Sequence, residues 1–102
     1  MNASPGGNGG GNGGGHGGAP GLQFPCRYEI KAMGRASSRF DALVVSIVSR
    51  HIGDGDLRVT TRRYSRNRRY LSVTCIIRAT TREQLVRIYS DLRACPEVLM
   101  TL

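Results

Sequence analysis

Eleven of the 14 glycines fall within residues 1–21, a stretch without a single charged side chain, and that segregation fixes how much chain is left to fold. A segment this rich in glycine cannot bury apolar surface, and it would lose the most backbone entropy on ordering. Residues 1–21 are therefore expected to be a disordered tail. What remains, residues 22–102, is one small domain of about 80 residues. A domain of that size buries only about 60–65% of its surface on folding. That suffices for one two-layer core but not for a deep enclosed site around a large cofactor, and no cofactor is expected. There is no run of 18 apolar residues, and the N-terminus carries neither a basic region nor an apolar one. The expectation is a cytoplasmic protein that does not engage the membrane.

Hydrophobic periodicity orders the domain. Cys26 to Met33 alternates, with Cys26, Tyr28, Ile30 and Ala32 on one face and Arg27, Glu29 and Lys31 on the other, which predicts a half-buried strand ended by Gly34. Ser38 to Asp41 resembles a capping box. Phe40, Leu43, Val44, Ile47 and Val48 then recur at helical spacing, which predicts a helix over 39–51 stopped by Gly53-Asp54-Gly55. Leu57, Val59 and Thr61 alternate with Arg58, Thr60 and Arg62 in a second strand, followed by a turn at Ser65 to Arg68. Tyr70 to Ala79 is the strongest strand, with Leu71, Val73, Cys75, Ile77 and Ala79 on its apolar face. Thr80 and Glu83 suggest a second capping box before a helix with Leu85, Ile88, Tyr89 and Leu92 on one stripe. Glu83, Arg87 and Asp91 lie at pairing distance on its outer side. Cys95-Pro96 stops that helix, and Val98, Met100 and Leu102 alternate in a last strand.

Each helix has one apolar stripe and each strand one apolar face, so both helices must cover the same side of a four-stranded antiparallel sheet. This is an α+β, ferredoxin-like βαββαβ two-layer sandwich with strands one and three central and an open opposite face. The alternation puts Arg27, Glu29, Lys31, Met33, Arg58, Thr60, Arg62, Tyr70, Thr74 and Ile76 on that face.

Candidate chemistry is sparse. Cys26, Cys75 and Cys95 are odd in number, widely spaced and without a nearby histidine at ligand spacing, which argues against a metal site or a redox pair. His16 stands alone in the tail, and Asn2-Ala3-Ser4 matters as a glycosylation sequon only in a secreted chain. His51 is read as a helix-end residue, and Asp54 and Asp56 as turn chemistry. No catalytic residues and no metal are expected.

The distinctive local feature is basic. Arg62, Arg63, Arg66, Arg68 and Arg69 contribute five of a net +8, leaving 8 − 5 = +3 for the rest. Such a hairpin either binds phosphates, nucleic acid or an acidic protein surface, or keeps a sheet edge soluble. RNA-recognition motifs share the strand order, but here Ser72 and Cys75 stand where their strand-three signature places stacking aromatics. Nucleic acid, if bound, is therefore held by charge rather than by a standard platform of that kind.

Several short segments in order, Phe24-Pro25, Lys31-Ala32-Met33-Gly34, Arg50-His51, Tyr70-Leu71-Ser72-Val73, Ala79-Thr80 with Glu83-Gln84, Ile88-Tyr89 and Val98 to Leu102, resemble the YbeD family of small uncharacterised bacterial proteins. The likeness spans residues 23–102. It implies a βαββαβ fold similar to ACT-type regulatory domains, which bind small effectors between paired domains, and it brings no catalytic residues. The resemblance implies a non-enzymatic regulatory or adaptor module that pairs with itself or a partner protein and binds a small effector. The arginine hairpin supports the alternative of an electrostatic nucleic-acid or anion binder.

Overall fold

The computed structural model describes residues 22–102; the expected tail, with His16 and the Asn2 sequon, lies outside the described residues. The elements are β1 (Cys26–Arg35), α1 (Phe40–Ser49), β2 (Leu57–Tyr64), β3 (Tyr70–Ala79), α2 (Arg82–Ala94) and β4 (Met100–Thr101). They form one antiparallel sheet in the order β2-β3-β1-β4, the ferredoxin-like arrangement expected from the sequence, with β1 and β3 central. β1 and β3 pair without interruption from Cys26 opposite Ala79 to Arg35 opposite Tyr70.

The core lies between the sheet and the helices. Ile30 and Ala32 of β1 and the odd-numbered residues from Leu71 to Ala79 of β3 are fully buried, against Phe40, Val44, Ile47 and Val48 of α1 and Leu85, Ile88 and Leu92 of α2. These are the residues that the two periodicities select.

Four local expectations need correction. Gly34 does not end β1: it pairs with Leu71 and is buried, because the strand there passes so close to the Phe40 ring and the Glu97 carbonyl that a Cβ would strike both. Ser38 does not cap α1, whose N-cap is Arg39 with no side-chain hydrogen bond; Ser37 Oγ instead accepts the Arg39 amide at 3.3 Å. The cap of α2 sits one residue later than expected. Thr81 Oγ1 accepts the Gln84 amide at 3.0 Å, while Gln84 Oε1 reaches back to the Thr80 amide at 2.8 Å, so the reciprocal pair is Thr81 with Gln84 rather than Thr80 with Glu83.

The fourth correction concerns which side chains β2 shows to each face. Leu57 opposes Ile77, but the next partner pair is Val59 with Ile76, so Arg58 is an extra residue in a β-bulge. One extra residue inverts the alternation downstream. Thr60, Arg62 and Tyr64 therefore stand on the helix side, opposite Cys75, Val73 and Leu71, and Val59, Thr61 and Arg63 stand on the open side.

Candidate binding surface

The open face can be read as rows across the sheet, since residues opposite one another share a side. Arg35 lies beside Tyr70; Met100, Met33, Ser72 and Arg63 form the next row; Lys31, Thr74 and Thr61 the third, with Leu102 bonded beside Lys31 through both backbone groups at 2.8 and 3.1 Å. Glu29, Ile76 and Val59 form the fourth row, and Arg27 with Arg78 the last. Apolar and hydroxyl side chains occupy most of the middle, with Lys31 and Glu29 among them on β1, while arginines stand toward both ends. Val59, Met100 and Leu102 are exposed, and no described element covers this side. Met33, Ser72, Thr74 and Ile76 were legible on this face from β1 and β3; Val59, Thr61 and Arg63 were not, nor were Met100 and Leu102, whose alternation in the last strand pointed to its covered side. The missed signal is a spacing: Leu57 and Tyr64 are seven apart, so both can face the core only if the strand holds one extra residue.

The five arginines of the hairpin are split by the same parity. Arg62 is turned to the helix side, where its guanidinium meets Asp41 Oδ2 of α1 at 3.0 Å. Arg63 is on the open face. Arg68 takes a left-handed backbone, φ 60°, which stacks its guanidinium 4.1 Å from the Tyr64 ring centre. That turn is tied by Asn67 Oδ1, which accepts the Arg69 amide and the Ser65 hydroxyl, each at 3.0 Å, and by Ser65 Oγ, which accepts the Tyr70 amide at 3.0 Å. Arg66 and Arg69 are exposed, and among the described residues neither has a carboxylate within 4.0 Å.

The role of His51 is not signalled by any local pattern of residues. Its Nε2 lies 2.7 Å from Asp91 Oδ2, and its carbonyl accepts the Gln84 side-chain amide at 2.8 Å, so the segment after α1 is fastened to α2 at two points. Asp91 is thereby engaged across the helices, and neither Glu83–Arg87 nor Arg87–Asp91 is among the ion pairs of the described residues. Asp56 lies 3.9 Å from Arg78 at the β2 entry, while Gly55 turns the loop with φ 82°. Cys75 is fully buried, and burial pushes its thiol pKa upward; burial does the same to Cys26. Tyr89 donates its hydroxyl to the Leu102 carbonyl at 3.0 Å, and burial, with the neighbouring Tyr28 as a smaller cause, raises its pKa. Among the described residues no cluster of three His, Cys, Asp or Glu could hold a metal, and no helix is long and apolar enough to cross a membrane.

A cleft of about 450 Å³ opens where β1 ends and α1 begins, lined by Arg35, Ser37 and Arg39 and by the apolar Phe40, Leu43 and Leu99, with Pro96 and Glu97 at its side. The Glu97 carboxylate accepts the Cys95 thiol at 3.3 Å.

Comparison with known proteins places this geometry. A family model described as "Protein of unknown function (DUF493)" matches residues 19–102. A UPF0250 protein of Azotobacter vinelandii is 48% identical over 85 residues, covering 82% of this chain and 92% of that protein. One of Nitrosomonas europaea is 42% identical over 81 residues, covering 79% and 93%. YbeD proteins are UPF0250 proteins, so the resemblance read from the sequence and these relatives agree. Among solved structures, the solution NMR structure of the ACT domain from GTP pyrophosphokinase of Chlorobium tepidum superposes with a TM-score of 0.60 at 13% identity, covering 76% of this chain and 83% of that one. At that identity the likeness establishes the ACT-like fold alone.

Proposed function

The chain belongs to the DUF493 family of proteins of unknown function, and from its own surface we propose that it is a non-enzymatic regulatory or adaptor module, working in the cytoplasm by pairing with a protein. The observation that carries this reading is the sheet itself. One side is closed by two helices, whereas the other exposes Val59, Met100 and Leu102 beside half-buried Met33 and Ile76, with no described element over them. Apolar side chains gathered on one solvent face gain free energy when another surface covers them. The non-enzymatic part is supported by the candidate reactive groups: His51 is occupied by Asp91 and, among the described residues, its ring makes no hydrogen bond to a thiol or hydroxyl, and the Cys26 and Cys75 thiols are pushed toward their neutral form.

Among the clefts of the described residues, the one at the end of β1 suits a small effector best. The cleft at the β1–α1 junction combines two guanidinium groups, Arg35 and Arg39, with an apolar wall of Phe40, Leu43 and Leu99, a combination suited to a small anion with an apolar body. The ACT domain with the same architecture comes from an enzyme, GTP pyrophosphokinase. That setting supports a module that acts through another protein.

A second reading, electrostatic binding of nucleic acid or another polyanion through Arg62, Arg63, Arg66, Arg68 and Arg69, is favoured by the exposure of Arg66 and Arg69 at the turn. One experiment separates the two. The tagged full chain is recovered from cell extract with and without nuclease, and its mass is measured by light scattering alone and in the recovered complex. A nuclease-resistant complex of fixed stoichiometry, or a stable homodimer, is expected. A monomer that recovers only nuclease-sensitive material, and loses it in the Arg66→Ser, Arg68→Ser, Arg69→Ser variant together with the steep salt dependence of binding, would replace the first reading by the second.

A further inference from the structure

We propose that the open face of the sheet is a docking site for an acidic amphipathic helix of a partner protein. This rests on the pairing reading above and adds to it the face used and the chemistry of the partner.

The size of the face sets the shape of what can cover it. Four strands about 4.8 Å apart span roughly 14 Å, and a helix with its side chains is about 10–12 Å across, so a single helix laid along the strands fills the width. It would supply the third layer that this two-layer sandwich lacks. The rows supply the contact: Met33 and Met100 on one side of the face, Ile76 and Val59 on the other, joined through Thr74 and Thr61. Flexible methionines beside branched aliphatics suit an apolar helical stripe.

Charge selects among occupants. Arg27, Lys31, Arg35, Arg63 and Arg78 stand on this face with Glu29 as its acid, and Asp56 approaches Arg78 from the neighbouring loop at 3.9 Å. A second copy laid face to face would bring ten such cations together against two glutamates, a repulsion that opposes self-pairing through this face. A nucleic acid would satisfy the charge but not the middle, where Ser72, Thr74 and Ile76 occupy the positions from which stacking rings would have to project. Tyr70, at one end, is the aromatic residue that the described part of this face offers. A helix with an apolar stripe flanked by Asp and Glu matches both the middle and the frame. The bulge at Arg58 is what completes this surface, since without the extra residue Val59 and Arg63 would face the core side.

The test places a photoreactive benzophenone side chain in the full chain at Thr74, at the centre of the face, and in two further versions at Val86 on the outer side of α2 and at Arg66 on the turn. Each is irradiated in cell extract with and without nuclease, and the joined peptide is sequenced by mass spectrometry. The expected result is a nuclease-resistant adduct at Thr74 to an acidic segment with apolar residues at helical spacing, lost when Lys31→Glu and Arg63→Glu are combined in a variant whose circular dichroism is unchanged. In parallel, a 20-residue helical peptide with a leucine stripe and glutamates elsewhere is expected to bind at least tenfold more tightly than the same peptide with lysines. An adduct at Thr74 to a second copy, to nucleic acid or to a basic segment overturns the proposal, as does equal binding of the two peptides. Protein adducts at Val86 or Arg66 without one at Thr74 overturn the docking face while leaving the pairing reading standing. No protein adduct at any of the three positions overturns both.

Discussion

Ile76 and Ile77 are chemically identical, adjacent on β3, and separated by the whole thickness of the sheet. Ile77 has no exposure and packs among the helices, while Ile76 is half-buried on the open side between Glu29 and Val59. The comparison shows that the two faces do different work. The helix side converts apolar area into folding free energy, and the other side leaves apolar area unspent. The sharpest way to break this comparison is to truncate both residues. Ile77→Ala removes atoms from a packed interior and is expected to cost about 2–5 kcal/mol, enough to unfold much of so small a domain, whereas Ile76→Ala is expected to cost less than about 1 kcal/mol. Urea denaturation followed by circular dichroism checks both. Equal costs would mean that the open face belongs to the folding core and is not held in reserve.

Gly34 sharpens the comparison from the covered side. Its alanine variant must displace either the Phe40 ring or the Glu97 carbonyl, so Gly34→Ala is expected to destabilise by about 1–3 kcal/mol, in contrast to the gain usual for glycine to alanine within regular structure. A thermal midpoint at or above that of the unaltered chain would show that β1 does not approach α1 as closely as described.

The covered face was nearly complete in the sequence, because burial on one side of β1, β3 and both helices imposes a periodicity that local composition cannot mask. The strand order followed from the same stripes. The open face was legible only in part. β2 is an edge strand with six consecutive exposed residues, Arg58 to Arg63, so burial within that run does not fix register, and the bulge shows in the residues only through the seven-residue spacing of Leu57 and Tyr64 at its two ends. The Gly34 contact was hidden for a different reason: a glycine that breaks a strand and one that admits a neighbouring ring are the same letter. The His51–Asp91 contact joins residues 40 apart, and only the packing of α1 beside α2 brings them together.

The helix starts offer a smaller contrast. Thr81→Ala removes the hydroxyl that accepts the Gln84 amide and is expected to cost about 1 kcal/mol, whereas Ser38→Ala, at a position that caps nothing, is expected to stay within about 0.5 kcal/mol of the unaltered chain. Matching losses from the two changes would show that α1 relies on a hydroxyl cap after all.

The finest test is electrostatic and concerns neighbouring arginines on opposite faces. Arg62 reaches Asp41 at 3.0 Å because the bulge turns it toward α1; Arg63, one residue on, faces away. Both partners of the pair are partly exposed, so water and salt screen the attraction, and a double-mutant cycle between Arg62→Ala and Asp41→Ala is expected to give a coupling of only about 0.2–1 kcal/mol that shrinks as salt is added. The same cycle between Arg63→Ala and Asp41→Ala is expected to give none. If the coupling appears at Arg63 instead, β2 runs without its extra residue and Arg62, not Arg63, stands on the open face. The basic frame would survive such an inversion, but Val59 would leave the apolar centre, and a helix docking there would lose its contact at the β2 edge. A coupling worth a fraction of a kcal/mol thus decides which side chains a partner can meet.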